Sequence, residues 1–362
     1  MSPPPEEAVS ETQAERTPTD HDPVDAGCVA TGTEAVSAGG LPAPASSSGS
    51  AKERLADSRY RTPDGRLATS SMPTVVVGRP APAFEPRPIA RAHRLTPYRP
   101  DSTADGWSTS YATLRAASIR GQYHRYNGAP RQDDFAVMQL TEPNRIVVAL
   151  ADGISAATQS HVGATAAVRY ATQWLAGQND KPADQIDWVS LIESTAWTLV
   201  TQTAALLGVP EASADQAEEL MATTLVCAVV EPDPLGGLVA RVVSVGDSGC
   251  WILDGEGAFT AVTGGKHSDQ ADVTSSAVVG LPRVPNGIEP VMIHVAPDQV
   301  LLFATDGFGD PLGDGGGPVG DLFVAVLQRP VPSMVELVYA LDFSRETFDD
   351  DRTLVAFWPA IT

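Results

Sequence analysis

Cysteine is scarce in this 362-residue chain: Cys28, Cys227 and Cys250 stand far apart. Three scattered thiols build neither a disulfide framework nor a zinc site, so a reduced, cytoplasmic setting is expected. Basic residues are few as well, 24 Lys and Arg against 45 Asp and Glu, for a formal net charge of −21. That excess repels nucleic-acid phosphates and anionic lipid surfaces, so neither nucleic acid nor membrane is an expected partner. No run approaches the ~20 apolar residues of a membrane span. The opening Met1-Ser2-Pro3-Pro4-Pro5-Glu6-Glu7 shows neither the basic start nor the apolar stretch of a signal peptide. Aromatic residues make up only 6%, within a 43% apolar total, so a buried core is feasible without using the whole length.

What is present divides into two regions. Residues 1–105 are dense in Pro, Ser, Thr, Ala and Glu, with apolar residues occurring singly, and are expected to be a disordered tail. The only strand-like piece there is Val75-Val76-Val77, between Pro73 and Pro80. Lys and Arg number 11 and Asp and Glu 12 in residues 1–100, so about −20 of the charge belongs to the remainder of the chain. An acidic site should therefore be sought in residues 106–362, the expected folded domain.

In that domain Ile146 to Leu150 is a continuous apolar run and predicts a buried strand. Val162, Ala166, Tyr170 and Leu175 keep a helical period, as do Trp188, Leu191, Ile192, Thr195 and Leu199. Strands are expected at 224–230, 238–245 and 249–253, then a hairpin through Asp254-Gly255 into 259–262. A further pair is expected at 291–295 and 300–304, followed by a helix near 335–341 and a last strand at 353–358. Two long helices followed by a meander of strands argue for helices packed on largely antiparallel sheets, an α+β class. Gly313-Asp314-Gly315-Gly316-Gly317 reads as a loop, since no helix with a Lys-Ser/Thr pair succeeds it.

Several aspartates sit where a strand stops or starts: Asp152 after the 146–151 run, Asp247 after 242–246, and Asp306 after 301–305. Asp350 and Asp351 precede the last strand, and Asp133 and Asp134 precede Phe135 to Met138. A carboxylate at a strand end is held rigidly yet reaches solvent. Several converging there repel one another unless a hard divalent cation neutralises them. One Asp-Gly is more often a turn than a ligand; the repetition is what points to metal.

The order and wording of these segments resemble the type 2C class of metal-dependent serine/threonine protein phosphatases, especially a compact bacterial branch. The matching stretches are Ser118-Ile119-Arg120-Gly121 through His124, Arg131-Gln132-Asp133-Asp134-Phe135, Ala151-Asp152-Gly153, and Ala222-Thr223-Thr224-Leu225. They continue with Val245-Gly246-Asp247-Ser248, Ala304-Thr305-Asp306-Gly307 and Asp350-Asp351-Arg352-Thr353. The resemblance implies a four-layer α-β-β-α sandwich with two central antiparallel sheets. It also implies two Mn2+ or Mg2+ ions, with a third at a weaker site. Asp152 and the Gly153 carbonyl would hold the two central ions, and Asp306 and Asp351 would be ligands of one of them. Asp133 would hold water on a metal, and Asp247 would share the third ion with Asp306. Asp152, Asp306 and Asp351 are thus the implied catalytic set, while Thr223 and Thr224 match a structural strand start.

The match departs in places that bear on activity. Many relatives place a phosphate-gripping arginine where this chain has Gly128, five residues before Asp133; His124, Arg125 and Arg131 are the nearby candidates to replace it. After Asp152-Gly153 comes Ile154-Ser155-Ala156, without the histidine that some relatives use as an acid, and His161 is expected at a helix end. A short flap is expected near 266–290, with Lys266 and His267 beside the cleft. The leading expectation is a monomeric hydrolase of phosphoserine and phosphothreonine in proteins, substrates of serine/threonine kinases. The alternative is an inactive, phosphatase-like module that binds phosphoproteins. A third, an acidic metal-storing protein of unrelated fold, would bind many ions weakly without fixed stoichiometry. Cys227 and Cys250 fall inside strand patterns and are expected to be small buried residues, which disfavours cysteine chemistry.

Overall fold

The computed structural model describes residues 74–90, 99–142, 144–264 and 279–360. Two antiparallel sheets form its centre. One has the order β1(Ser102–Asp105), β2(Ala112–Ile119), β11(Arg352–Pro359), β10(Val300–Ala304), β7(Gly249–Leu253), β8(Phe259–Thr263). The other has the order β3(Asp134–Leu140), β4(Arg145–Ala151), β5(Leu225–Pro232), β6(Leu238–Val245), β9(Val291–Val295).

Side chains alternate across each strand, and both faces are covered. In β4, Ile146, Val148 and Leu150 fill the layer between the sheets, together with Leu301, Phe303, Val355 and Phe357. The alternate residues Val147, Ala149 and Ala151 face helices α2(Ser160–Ala176) and α3(Trp188–Leu207) through Val168, Leu191 and Leu199. On the far side Leu302, Leu354 and Trp358 pack against α5(Asp306–Leu312), α6(Pro318–Leu327) and α7(Met334–Leu341) through Phe308, Phe323 and Leu337. The result is the expected α-β-β-α sandwich. It also explains why β4, β5, β10 and β11 read as unbroken apolar runs: a strand covered on both sides has no polar face. Burying each Leu, Val or Phe is worth about 1.5–3 kcal/mol.

Short helices start where local chemistry sets them. α4(Ala214–Met221) and α7 each open with a capping box, Ser213 with Gln216 and Ser333 with Glu336. A six-residue helix, α1(Gln122–Asn127), comes directly after β2.

Two expectations are corrected. Strands β9 and β10 do not pair: β9 joins β6 in one sheet, and β10 lies between β7 and β11 in the other. The folded part also begins before residue 106. β1 pairs with β2, Val77 is buried among the α5–α7 side chains, and Val76 bridges Ser344. The Val77 amide donates to the Ser344 carbonyl (3.0 Å), the Ser344 amide donates to the Val75 carbonyl (2.7 Å), and the Glu346 amide donates to the Arg79 carbonyl (2.7 Å). A proline-rich stretch has no period of its own, yet its backbone groups still need partners, and here loops of the domain supply them. Residues 1–73 and 91–98 of the tail expected over residues 1–105 lie outside the described residues.

Candidate metal centre

Register brings the acidic residues together. Asp134 pairs with Ala151 across β3 and β4, which sets Asp133 beside Asp152. Ala304 pairs with Leu354 across β10 and β11, which sets Asp306 near Asp350 and Asp351. Leu225 pairs with Val245, so the β6–β7 turn carrying Asp247 flanks the same end of the sandwich. Asp306 is the first residue of α5, where the helix N-terminus favours negative charge.

Threonines fix this constellation. The Asp152 backbone is clamped by Thr223 and Thr224: its carbonyl accepts from the Thr224 amide and the Thr223 hydroxyl, both at 2.7 Å. Its amide donates to Thr224 Oγ1 at 2.9 Å, and Thr224 Oγ1 also meets Ser248 Oγ at 2.8 Å. These two threonines are structural, as expected. Asp133 is fully buried, and its Oδ2 accepts from the hydroxyls of Thr305 and Thr353, both at 2.8 Å. Its Oδ1 is buried and has no hydrogen-bond partner among the described residues.

The electrostatics reflect this convergence. Burial, then the charges of Asp133, Asp306 and Asp350, then a hydrogen bond with Asp306, push the Asp152 carboxyl well above the usual carboxylate range. Burial and the nearby Asp351 charge raise Asp133 likewise, against the opposing bonds from Thr305 and Thr353. Four carboxylates therefore face one another, and protons must replace a cation wherever none is bound. A buried oxygen without a partner, carboxylates only and no sulfur: this set fits a hard divalent ion. A cleft of about 180 Å3 opens beside it, lined by Asp306, Asp310, Asp349 and Asp350. A roomier cavity of about 750 Å3 lies against α2 and α3 but has no carboxylate among its lining residues, so of the two only the smaller borders the acidic cluster.

The expectation for Asp351 is revised. It is buried, and its Oδ1 accepts from the Gly121 amide (2.6 Å) and lies 2.9 Å from His124 Nδ1. Its Oδ2 accepts from the Gln132 amide. Burial pushes Asp351 up, but His124 and the two amides outweigh it and hold the carboxylate below its usual range. Its oxygens are taken by protein donors. Asp350 instead lines the cleft with Asp306, half of its side chain exposed, and burial and the Asp351 charge raise it above its usual range. Asp350 is a further candidate that sequence reasoning passed over, since two adjacent acids gave no signal for choosing between them; one ligand atom each of His124, Asp350 and Asp351 lies within 4.8 Å of the others.

The three candidates for gripping phosphate are engaged with carboxylates of the protein. His124 is 2% exposed and spent on Asp351. Arg125 pairs with Asp342 at 2.8 Å and lies 3.6 Å from Asp101. Arg131 is 2% exposed, with Asp134 at 3.9 Å. None of them presents its donors to the open cleft. His161 is buried in the first turn of α2, a helix-end residue as expected. Cys227 and Cys250 are buried, and burial pushes both thiols up, away from nucleophilic chemistry. Gly153 is buried at a bridge to Thr223. Lys266 and His267 lie outside the described residues.

A family model described as protein phosphatase 2C matches residues 120–333, more than half of the chain. Comparison with curated proteins gives no match. Among solved structures, the chain is similar to the serine/threonine phosphatase of S. agalactiae (16% identity, 68% of this chain and 99% of that one, TM-score 0.46). It is similar to the catalytic domain of the phosphatase PstP in complex with two manganese ions (18% identity, 69% and 99%, TM-score 0.45). It is also similar to RsbX in complex with magnesium (11% identity, 71% and 100%, TM-score 0.46).

Proposed function

Because the chain belongs to the protein phosphatase 2C family, we propose that it hydrolyses phosphoserine and phosphothreonine in proteins, with Mn2+ or Mg2+ as cofactor. The observation that carries this reading is the meeting of Asp133, Asp152, Asp306 and Asp350 at one end of both sheets, with a buried Asp133 oxygen left without a partner. Asp152, the Gly153 carbonyl, Asp306 and Asp350 would hold the ions, and Asp247 would flank a further one. Bound divalent ions supply an activated water and positive charge for the transferring phosphoryl group.

The protein's own residues do the rest. Thr223 and Thr224 fix the Asp152 backbone, so its carboxylate is presented without rearrangement. Thr305 and Thr353 hold one oxygen of Asp133 and leave the other without a partner among the described residues. Asp351 acts one step back, tying Gly121, His124 and Gln132 together behind the acidic wall. Substrates are phosphorylated proteins, products of serine/threonine kinases in the cytoplasm, met by a monomer. Among the described residues no helix is long and apolar enough to cross a membrane.

The test is a manganese-dependent assay on p-nitrophenyl phosphate and on a phosphothreonine peptide. Turnover that falls by roughly 100-fold or more in Asp152→Asn supports the reading, since even outer-shell losses reach that size. A second reading, a phosphatase-like module that binds phosphoproteins without turnover, draws on the engaged state of His124, Arg125 and Arg131 and on Gly128. Phosphopeptide binding with no turnover under any divalent metal would select it.

A further inference from the structure

The stretch before residue 106 lies outside the family match, yet it grips the loop that carries Asp133. At one end of that loop the Ala90 amide donates to the Gly128 carbonyl at 2.7 Å, and the Arg87 amide donates to the Arg125 carbonyl at 2.9 Å. Phe84 meets Tyr126 of α1 edge to face, with ring centroids 5.4 Å apart, and the Arg87 guanidinium lies over the same ring at 4.9 Å. At the other end stands Arg99. Its Nε donates to the Arg131 carbonyl, its Nη2 to the Asp133 carbonyl at 2.7 Å, and its Nη1 to Thr165 Oγ1 at 2.8 Å. The Arg99 side chain is only 7% exposed.

A bland account would make Arg99 a counter-ion for Asp134. That pair stands at 3.5 Å, longer than the bonds to the Asp133 carbonyl and to Thr165. The planar fork of an arginine reaches two carbonyls and a hydroxyl from three separate nitrogens held in fixed geometry, whereas an ammonium must donate all its bonds from a single atom. Main-chain carbonyls on either side of Gln132 are what it holds, and Asp133 is fixed as a consequence.

We propose that this N-terminal stretch is part of the framework of the metal centre, with Arg99 the positioning residue that sets Asp133 for the ions. The inference rests on the phosphatase reading and deepens it. Arg99 holds the Asp133 backbone and, among the described residues, makes no hydrogen bond to the carboxylates of the centre, so its effect appears as metal affinity and not as chemistry. Loss of an outer-shell partner typically weakens a metal by about 10–100-fold.

The experiment uses the full chain, with Arg99→Gln and the conservative Arg99→Lys. Mn2+ binding is read by titration calorimetry, the activating metal concentration and kcat by assay, and folding by thermal denaturation. Expected are a Kd for Mn2+ raised by about 10-fold or more in both variants, and kcat largely recovered at saturating metal. If Arg99→Gln does not fold, Arg99→Lys decides, because it keeps the charge beside Asp134 and loses only the fork. A folded Arg99→Lys that binds Mn2+ within about twofold of the wild type, well short of the outer-shell range, overturns the inference, whatever its melting temperature. Failure of the wild type to bind Mn2+ or to turn over strikes the parent reading instead, so the two failures are distinct.

Discussion

At the start of β11 two neighbouring carboxylates part ways: Asp350 lines the cleft, and Asp351 turns inward onto His124 and two amides. The inward pair is nearly free of solvent, with side chains 3% and 1% exposed, so breaking it leaves an uncompensated buried charge. Asp351→Asn is therefore expected to cost about 3 kcal/mol of stability, while Asp350→Asn leaves folding nearly intact and weakens Mn2+ activation. The pH dependence comes from the two shifts. His124 is pulled down by burial but raised overall by the bond and charge of Asp351, so its contribution is complete below about 6.5 and lost as pH rises through its folded value. Asp351 is lowered overall, so its contribution is complete above about 4 and lost as pH falls through its folded value. The stability gap between wild type and Asp351→Asn should thus be widest between about pH 4 and 6.5. Urea denaturation across that range checks it, and a gap that is flat from about pH 4 to 9 would contradict the pairing.

Elements differ in how far the chain foretold them, for physical reasons. β4, β5, β10 and β11 were legible because burial on both faces writes a run of Val, Leu, Ala and Phe into the sequence. The long helices α2 and α3 were legible from their period. Which sheet β9 joins was not, since an apolar strand fits either, and only the packed layers decide. The candidate metal residues were legible as a group from their recurrence at strand ends, but what separates Asp350 from Asp351 is His124, which reaches Asp351 only in the folded chain. The segment 74–90 was illegible because most of its hydrogen bonds are made by its backbone, which carries no sequence signature, and its side-chain contacts through Val77, Phe84 and Arg87 follow no period. That segment also accounts for Gly128. The residue has φ +69°, and a Cβ there would stand 2.8 Å from the Pro88 carbonyl oxygen. An arginine restored at this position would meet both the backbone strain and the overlying strap. Gly128→Arg should lose about 1–3 kcal/mol of stability and gain no phosphatase activity. A variant as stable as the wild type with a lower KM for phosphopeptide would show that the strap yields and that the cation was simply missing.

At the scale of the whole molecule the dominant fact is charge: about −20 of the formal −21 lies beyond residue 100, and several of those carboxylates face one another at one end of the sandwich. Such an arrangement is held together by packing elsewhere and strained at the site. Burial and mutual repulsion raise Asp133, Asp152 and Asp350, which amounts to a standing preference for a cation or a proton over the free anions. A divalent ion that binds only the folded chain stabilises it by mass action, about 2.7 kcal/mol at a hundredfold excess over its Kd. At roughly 2–4 °C per kcal/mol for a folded unit of this size, or somewhat less, that corresponds to a rise in Tm of several degrees. Manganese should produce the rise and a chelator should reverse it. Sodium chloride at matched ionic strength should not reproduce it, because screening acts on exposed charges and leaves buried ones nearly untouched. Asp152→Asn supplies the decisive contrast. It removes one of the facing charges, so without metal it should be as stable as the wild type or more so, and it should lose the manganese-induced shift. A variant that keeps the full shift would mean that the ions bind somewhere other than this acidic cluster.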